Sequence, residues 1–141
     1  MRIDLLYGEN RDIWGLDLGL VNIVTREMLG SQIGLANINL GEMAGVQIGI
    51  DNIIGNMPAL ASSSLKNATA YGLQLGALNV VYPDRMIIGA QVGLINVADK
   101  MQGLQIGIIN CANDLTGVQI GLLNYNEAAE FYMAPIINTC F

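Results

Sequence analysis

The chemically capable groups that this chain repeats are side-chain amides. Glutamine stands at Gln32, Gln47, Gln74, Gln91, Gln105 and Gln119, and asparagine at Asn22, Asn37, Asn52, Asn79, Asn96, Asn110 and Asn124. Each of these asparagines follows its glutamine by five residues, and Asp17 takes the glutamine place ahead of Asn22. A carboxamide donates and accepts hydrogen bonds but carries no proton that it can transfer near neutral pH. The chemistry on offer is hydrogen bonding to other polar groups.

Groups for acid–base or covalent work are scarce. There is no histidine, so the commonest general base and metal ligand is missing. Ser62, Ser63 and Ser64 sit together without a neighbouring base. Cys111 and Cys140 are too few for a structural zinc site. Cys111 holds a place that is Ile or Val in most copies of the repeat, which predicts a small buried hydrophobe. Glu27, Glu42, Asp84, Asp99 and Asp114 recur about once per repeat, but three of the five have a basic neighbour and the Gly-Asp-rich calcium nonapeptide is absent. No catalytic residue, cofactor site or metal site is expected. With a net charge of −6 and six scattered basic residues, the chain offers nucleic acid nothing to bind.

The amides belong to a phrase, Gly-φ-Gln-φ-Gly-φ-φ-Asn with φ apolar, which opens at Gly15, Gly30, Gly45, Gly72, Gly89, Gly103 and Gly117. A clear copy reads Gly103-Leu104-Gln105-Ile106-Gly107-Ile108-Ile109-Asn110. With the opening glycine as position 1, apolar residues fill positions 2, 4 and 6 almost throughout, which is strand periodicity. Fourteen of the seventeen glycines lie at positions 1 and 5, and two per repeat would defeat a helix. Connections such as Pro83-Asp84-Arg85 and Ala98-Asp99-Lys100 read as solvated turns. No apolar run is long enough for a transmembrane helix.

The openings are spaced 15, 15, 27, 17, 14 and 14 residues apart. A period of 14–15 suits two all-β architectures. In a parallel β-solenoid of about eight coils, equivalent residues stack at about 4.8 Å and repeated amides form ladders. In an antiparallel meander or a small outer-membrane β-barrel, nothing requires one residue type at one register. Near-identity at positions 3 and 8 favours the solenoid. Apolar residues at positions 7 and 9 fit both: in a barrel they give a second apolar face, and in a solenoid a bend at position 5 turns them inward onto a second wall.

The chain is expected to form a single repeat domain over 1–141: first coils in 1–53, an inserted loop or short helix in 54–71, regular coils in 72–125 and a C-terminal cap in 126–141. The insertion contains Pro58-Ala59-Leu60-Ala61-Ser62-Ser63-Ser64-Leu65, with proline placed to start a helix. Tyr125, Phe131, Tyr132 and Phe141 make the ending aromatic, as a cap over the open end of the stack.

The repeats, with Tyr7-Gly8-Glu9-Asn10-Arg11-Asp12 leading into the first and Ala134-Pro135-Ile136-Ile137-Asn138-Thr139-Cys140-Phe141 at the end, resemble the bacterial surface-repeat proteins. The resemblance implies an exported protein of the cell envelope or extracellular surface, without known enzymatic activity. It also implies an export signal, which this sequence does not carry; the chain opens on the back half of a repeat, as a truncated one would. The function expected is therefore structural or interactive. Asn22, Asn37, Asn52, Asn79, Asn96, Asn110 and Asn124 would form a buried structural ladder. Gln32, Gln47, Gln74, Gln91, Gln105 and Gln119 would form a flat wall for a protein partner or for self-association. Membrane association is left open, and a membrane-embedded barrel is the alternative.

Overall fold

Short alternating segments with glycine at fixed places build strands that cannot bury a face alone, and here they bury it by stacking. The computed structural model describes residues 2–3, 6–55, 68–129 and 132–141, with 2–3 as backbone only. The strands are β1 (Arg2–Ile3), β2 (Tyr7–Leu18), β3 (Val21–Ile33), β4 (Ala36–Asn39), β5 (Glu42–Ile48), β6 (Asp51–Ile54), β7 (Thr69–Leu75), β8 (Leu78–Val92), β9 (Ile95–Ile106), β10 (Ile109–Asn126) and β11 (Met133–Cys140). No described residue is helical.

From β1 to β10 every pairing is parallel, and like lies beside like. Met28 pairs with Met43, Gly30 with Gly45 and Gln32 with Gln47; Asn37 pairs with Asn52. The register survives the 27-residue gap, where Gly45 meets Gly72, Gln47 meets Gln74 and Asn52 meets Asn79. The chain is a β-solenoid of about seven turns. Parallel in-register pairing overturns the meander and the barrel, whose neighbouring strands would run antiparallel. The described residues make about seven turns where about eight coils are expected from the sequence. β1 adds two residues at one end, and β11 closes the other as an antiparallel strand.

Each coil has two walls. Numbering the two residues before the opening glycine −1 and 0, the first wall runs from −1 to 4, a bend takes positions 5 and 6, and the second wall runs from 7 to 10. The opening glycines have φ between +113° and +155°, where other residues are strained. They are also crowded: a Cβ at Gly103 would stand 2.0 Å from the carbonyl oxygen of Gly89.

On the first wall, positions −1 and 3 point inward and 0, 2 and 4 outward. On the second, 8 and 10 point inward. The expectation that positions 7 and 9 turn inward is therefore corrected. The bend consumes two residues, so the inward parity passes from 3 to 8, and the apolar neighbours of the asparagine lie on the outer side of the wall. Ile23 and Ile38 are nonetheless buried there, in a second cluster with Leu40. The apolar core is narrow, made of Met28, Met43, Ile87, Met101 and Leu115 from position −1 and Val24, Ile54, Val81, Ala98 and Ala112 from position 10.

Two further expectations meet the structure differently. Around the insertion, Ile54 ends β6, Gly55 bends and β7 begins at Thr69; the helix expectation falls on residues 56–67, which lie outside the described residues. The C-terminal cap is the strand β11, and of the aromatic residues expected to form it Tyr132 and Phe141 are exposed. β11 closes the stack by pairing with β10, with Gln119 beside Asn138 and Asn124 beside Ala134.

Candidate functional site

Carboxamides at equal registers must meet one another once coils stack 4.8 Å apart. Asn22 Nδ2 donates to Asn37 Oδ1 at 2.9 Å, and the relay continues through Asn52, Asn79, Asn96, Asn110 and Asn124 at 2.8–2.9 Å. The second Nδ2 hydrogen goes to the position-4 carbonyl of the next coil, as from Asn96 to Ile106 O at 2.9 Å. Each asparagine therefore ties its own second wall to the bend of its successor. The position-5 glycine makes room for this: a Cβ at Gly107 would stand 2.6 Å from Asn96 Nδ2.

The glutamines form a second ladder of opposite sense. Gln47 Nε2 donates back to Gln32 Oε1 at 2.9 Å, and Gln74, Gln91, Gln105 and Gln119 each donate to the preceding glutamine at 2.6–2.9 Å. One row of amide dipoles points toward the C-terminal end and the other toward the N-terminal end, so their fields oppose along the axis. β11 closes both rows: Asn138 Nδ2 donates to Gln119 Oε1 at 3.1 Å, and Asn124 Nδ2 to Ala134 O at 3.1 Å. At the N-terminal end Asn22 Oδ1 and Gln32 Nε2 find no hydrogen-bond partner among the described residues. The register-mate of Gln32 is Asp17, whose side chain is shorter.

This geometry corrects the interaction face expected from the sequence. Gln32, Gln47, Gln74, Gln91, Gln105 and Gln119 are all 0% exposed. They are interior, bonded to one another in a row, and cannot form a wall for a partner. The reason is parity: position 3 shares its side of the wall with the methionines and isoleucine of position −1.

What the coils present instead is aliphatic. At position 6 the bend puts Leu20, Leu35, Ile50, Leu94, Ile108 and Leu122 into solvent at 43–69% exposure. Beside them at position 4 lie Ile33, Ile48, Ile106 and Ile120 at 37–39%. At position 7 Ile95 and Leu123 are exposed as well. These rows make one ridge along the axis, about 30 Å long for seven turns. Its backbone is satisfied from coil to coil, as where Leu35 N donates to Leu20 O and Ile108 N to Leu94 O, both at 2.9 Å. Near the C-terminal end the ridge holds a shallow apolar groove of about 280 Å³ between Ile106, Ile108, Ile120, Leu122 and Ile136.

The sequence reading missed this ridge. Its signal was there, as two consecutive apolar residues at positions 6 and 7 just after a glycine bend, where simple alternation stops.

The opposite edge, made by the turns, is polar and internally committed. Arg26 Nε pairs with Asp12 Oδ1 at 2.8 Å. The Asp99 carboxylate accepts from Asp84 N and from Asn113 Nδ2, both at 3.0 Å, joining three successive turns. Arg85 is 2% exposed and reaches back across the coil that carries the insertion, donating to Gly41 O at 3.0 Å and Leu40 O at 2.6 Å. Burial pushes its pKa down, against an opposing pull from Glu42. A cleft of about 320 Å³ on this edge holds Glu27 and Glu42 beside Met28, Met43, Thr69 and Tyr71. Among the described residues its lining holds no thiol, lysine or histidine to pair with these carboxylates.

Cys111, expected as a small buried hydrophobe, is half-buried on the outer side of the second wall. Burial raises its pKa. Both cysteines are free thiols. Compared with known protein families, with curated proteins and with solved structures, the chain matches none of them.

Proposed function

We propose that this protein is a non-enzymatic structural or interaction protein of the bacterial cell envelope or surface, and that its working face is the aliphatic ridge at the bend. One observation carries the reading: six Leu and Ile side chains at position 6, flanked by those of positions 4 and 7, stand in water along one line that Ala77 interrupts. Large apolar patches on a soluble chain mark places where something docks. Covering a Leu or Ile side chain completely gains about 1.5–3 kcal/mol, so a row of half-exposed ones is a strong drive to association.

The envelope setting is supported by the resemblance of the repeats to bacterial surface-repeat proteins. The absence of an enzymatic role is supported by the residue types: no histidine exists in the chain, and the turn-edge carboxylate of Asp99 is occupied by neighbouring turns. The test is a set of ridge substitutions, Leu94→Ser, Ile108→Ser and Leu122→Ser, combined in one chain. The expected outcome is a loss of association, read by sedimentation and by binding of a hydrophobic dye, with an unchanged β circular-dichroism spectrum. Unchanged dye binding and sedimentation in the triple variant would refute the ridge as the working face.

A further inference from the structure

We infer that the ridge inserts into the surface of a lipid bilayer, with the solenoid lying along the membrane and its turn edge in water. The inference rests on the reading of the ridge as the working face and adds what covers it.

Three features select lipid over a protein surface. First, charge is segregated. Positions 4, 6 and 7 carry a single charged residue among them, Asp51, while Arg26, Glu27, Glu42, Asp84, Asp99, Lys100 and Asp114 all lie on the turn edge. The first wall separates the two edges by about 20 Å, well beyond the Debye length of about 8 Å at physiological salt. The charges of the turn edge are therefore not felt at the ridge, whose own charged residue is Asp51.

Second, most backbone N–H groups of the bends among the described residues are paired from coil to coil. The hydrogen bonds of the bends run parallel to the axis, as from Leu94 N to Ala77 O at 3.0 Å and Leu123 N to Ile108 O at 3.0 Å. Hydrocarbon penalises unsatisfied N–H and C=O groups heavily, which bars ordinary sheet edges and loops from it. A solenoid offers hydrocarbon its side, where most rungs are already paired along the axis.

Third, the ridge has almost no register information. Leu35, Ile50, Leu94, Ile108 and Leu122 repeat the same kind of contact from coil to coil, with Ala77 the small residue that breaks the row. A protein partner shifted by one rung would find nearly the same surface, and no polar side chain at positions 4 or 6 fixes its orientation. Protein interfaces use about one hydrogen bond per 100–200 Å² for that purpose. A fluid hydrocarbon surface needs none. The arrangement is the β counterpart of an interfacial amphipathic helix, which buries an apolar face to about 5–10 Å.

The experiment is flotation of the chain with phosphatidylcholine vesicles, which carry no net charge. Co-flotation is expected, changing little between 50 and 500 mM salt. A chain with Leu94→Lys, Ile108→Lys and Leu122→Lys should lose it by at least about a hundredfold in partitioning. A second chain, Trp14→Phe with Ile108→Trp, keeps the ridge apolar and reports depth. Its fluorescence should be quenched by phosphatidylcholine brominated in the acyl chains, and that of Trp14 in the unaltered chain much less.

Failure of the unaltered chain to float would overturn the inference. So would flotation that the lysine variant retains, or a Trp at 108 that the brominated chains leave unquenched. If the unaltered chain does not float but sediments as an oligomer that the lysine substitutions dissociate, lipid is excluded while the ridge stays the working face. If neither flotation nor association depends on the ridge, both readings fall.

Discussion

Inside this solenoid the side chains that meet are amides, and outside they are aliphatic. The inward rows at positions 3 and 8 are Gln and Asn, 0–1% exposed in the repeats from Asn22 to Asn124. The outward rows at 4 and 6 are Leu and Ile, and most are more than a third exposed. In an ordinary globular domain the two sets would change places. The difference teaches that burial of a polar group is governed by its partners. A parallel in-register stack gives each amide a donor below and an acceptor above, so the desolvation cost is offset at every interior rung. Leu and Ile gain nothing comparable from stacking on themselves at an outer bend.

The comparison breaks most completely at the glycines that allow the coils to approach. Gly103→Ala puts a Cβ against the carbonyl of Gly89 on a backbone with φ of +133°. A loss above about 4 kcal/mol is expected, seen as a chain that does not give a cooperative melt.

Next come the central asparagines. Asn96→Leu leaves Asn79 Nδ2 without its side-chain acceptor, Asn110 Oδ1 without its donor and Ile106 O without its amide. At roughly 1–3 kcal/mol for each buried group, a loss of about 3 kcal/mol or more is expected from urea denaturation. Asn110→Leu should behave alike. Gln105→Leu removes partners from Gln91 and Gln119 only, because its second contact, to Cys111 O, is long at 3.4 Å. About 2 kcal/mol is expected. Asn22→Leu should cost less still, about 1 kcal/mol, since Asn22 Oδ1 already lacks a donor.

The smallest effect belongs to the exterior. Ile108→Ser or Leu122→Ser should change the unfolding free energy by less than about 0.5 kcal/mol, while lowering dye binding. A larger loss at the exterior than at Asn96 would reverse the comparison.

Much of this architecture is legible in the residues. Identity at positions 3 and 8 points to in-register stacking, and two glycines per phrase exclude helix; both lead to a parallel solenoid. The asparagine row is readable because an amide held between apolar neighbours at every register needs a partner of its own kind. What the residues do not reveal is parity. Glycine at positions 1 and 5 is silent about which side faces in, and the habit of placing apolar residues inside puts Leu94 and Ile108 in the core and Gln91 and Gln105 on the surface. The two-residue bend at positions 5 and 6 inverts that assignment. Sequence alternation does not register a change of parity made by backbone geometry. Arg85 is illegible for another reason: its partners, Leu40 O and Gly41 O, lie more than forty residues away, across the coil that carries the insertion.

The central claim, amides inside and aliphatics outside, is tested most directly by exchange of the side-chain amide protons themselves. In a ¹⁵N-labelled chain transferred to D2O, the Nδ2 and Nε2 protons of Asn37 to Asn110 and of Gln47 to Gln119 on the two ladders should persist long after the backbone amides of the turns have exchanged. Gln102, exposed at position 0 of its coil, is the internal control and should vanish at once. Exchange of the ladder amides as fast as Gln102 would place them in water and contradict the account.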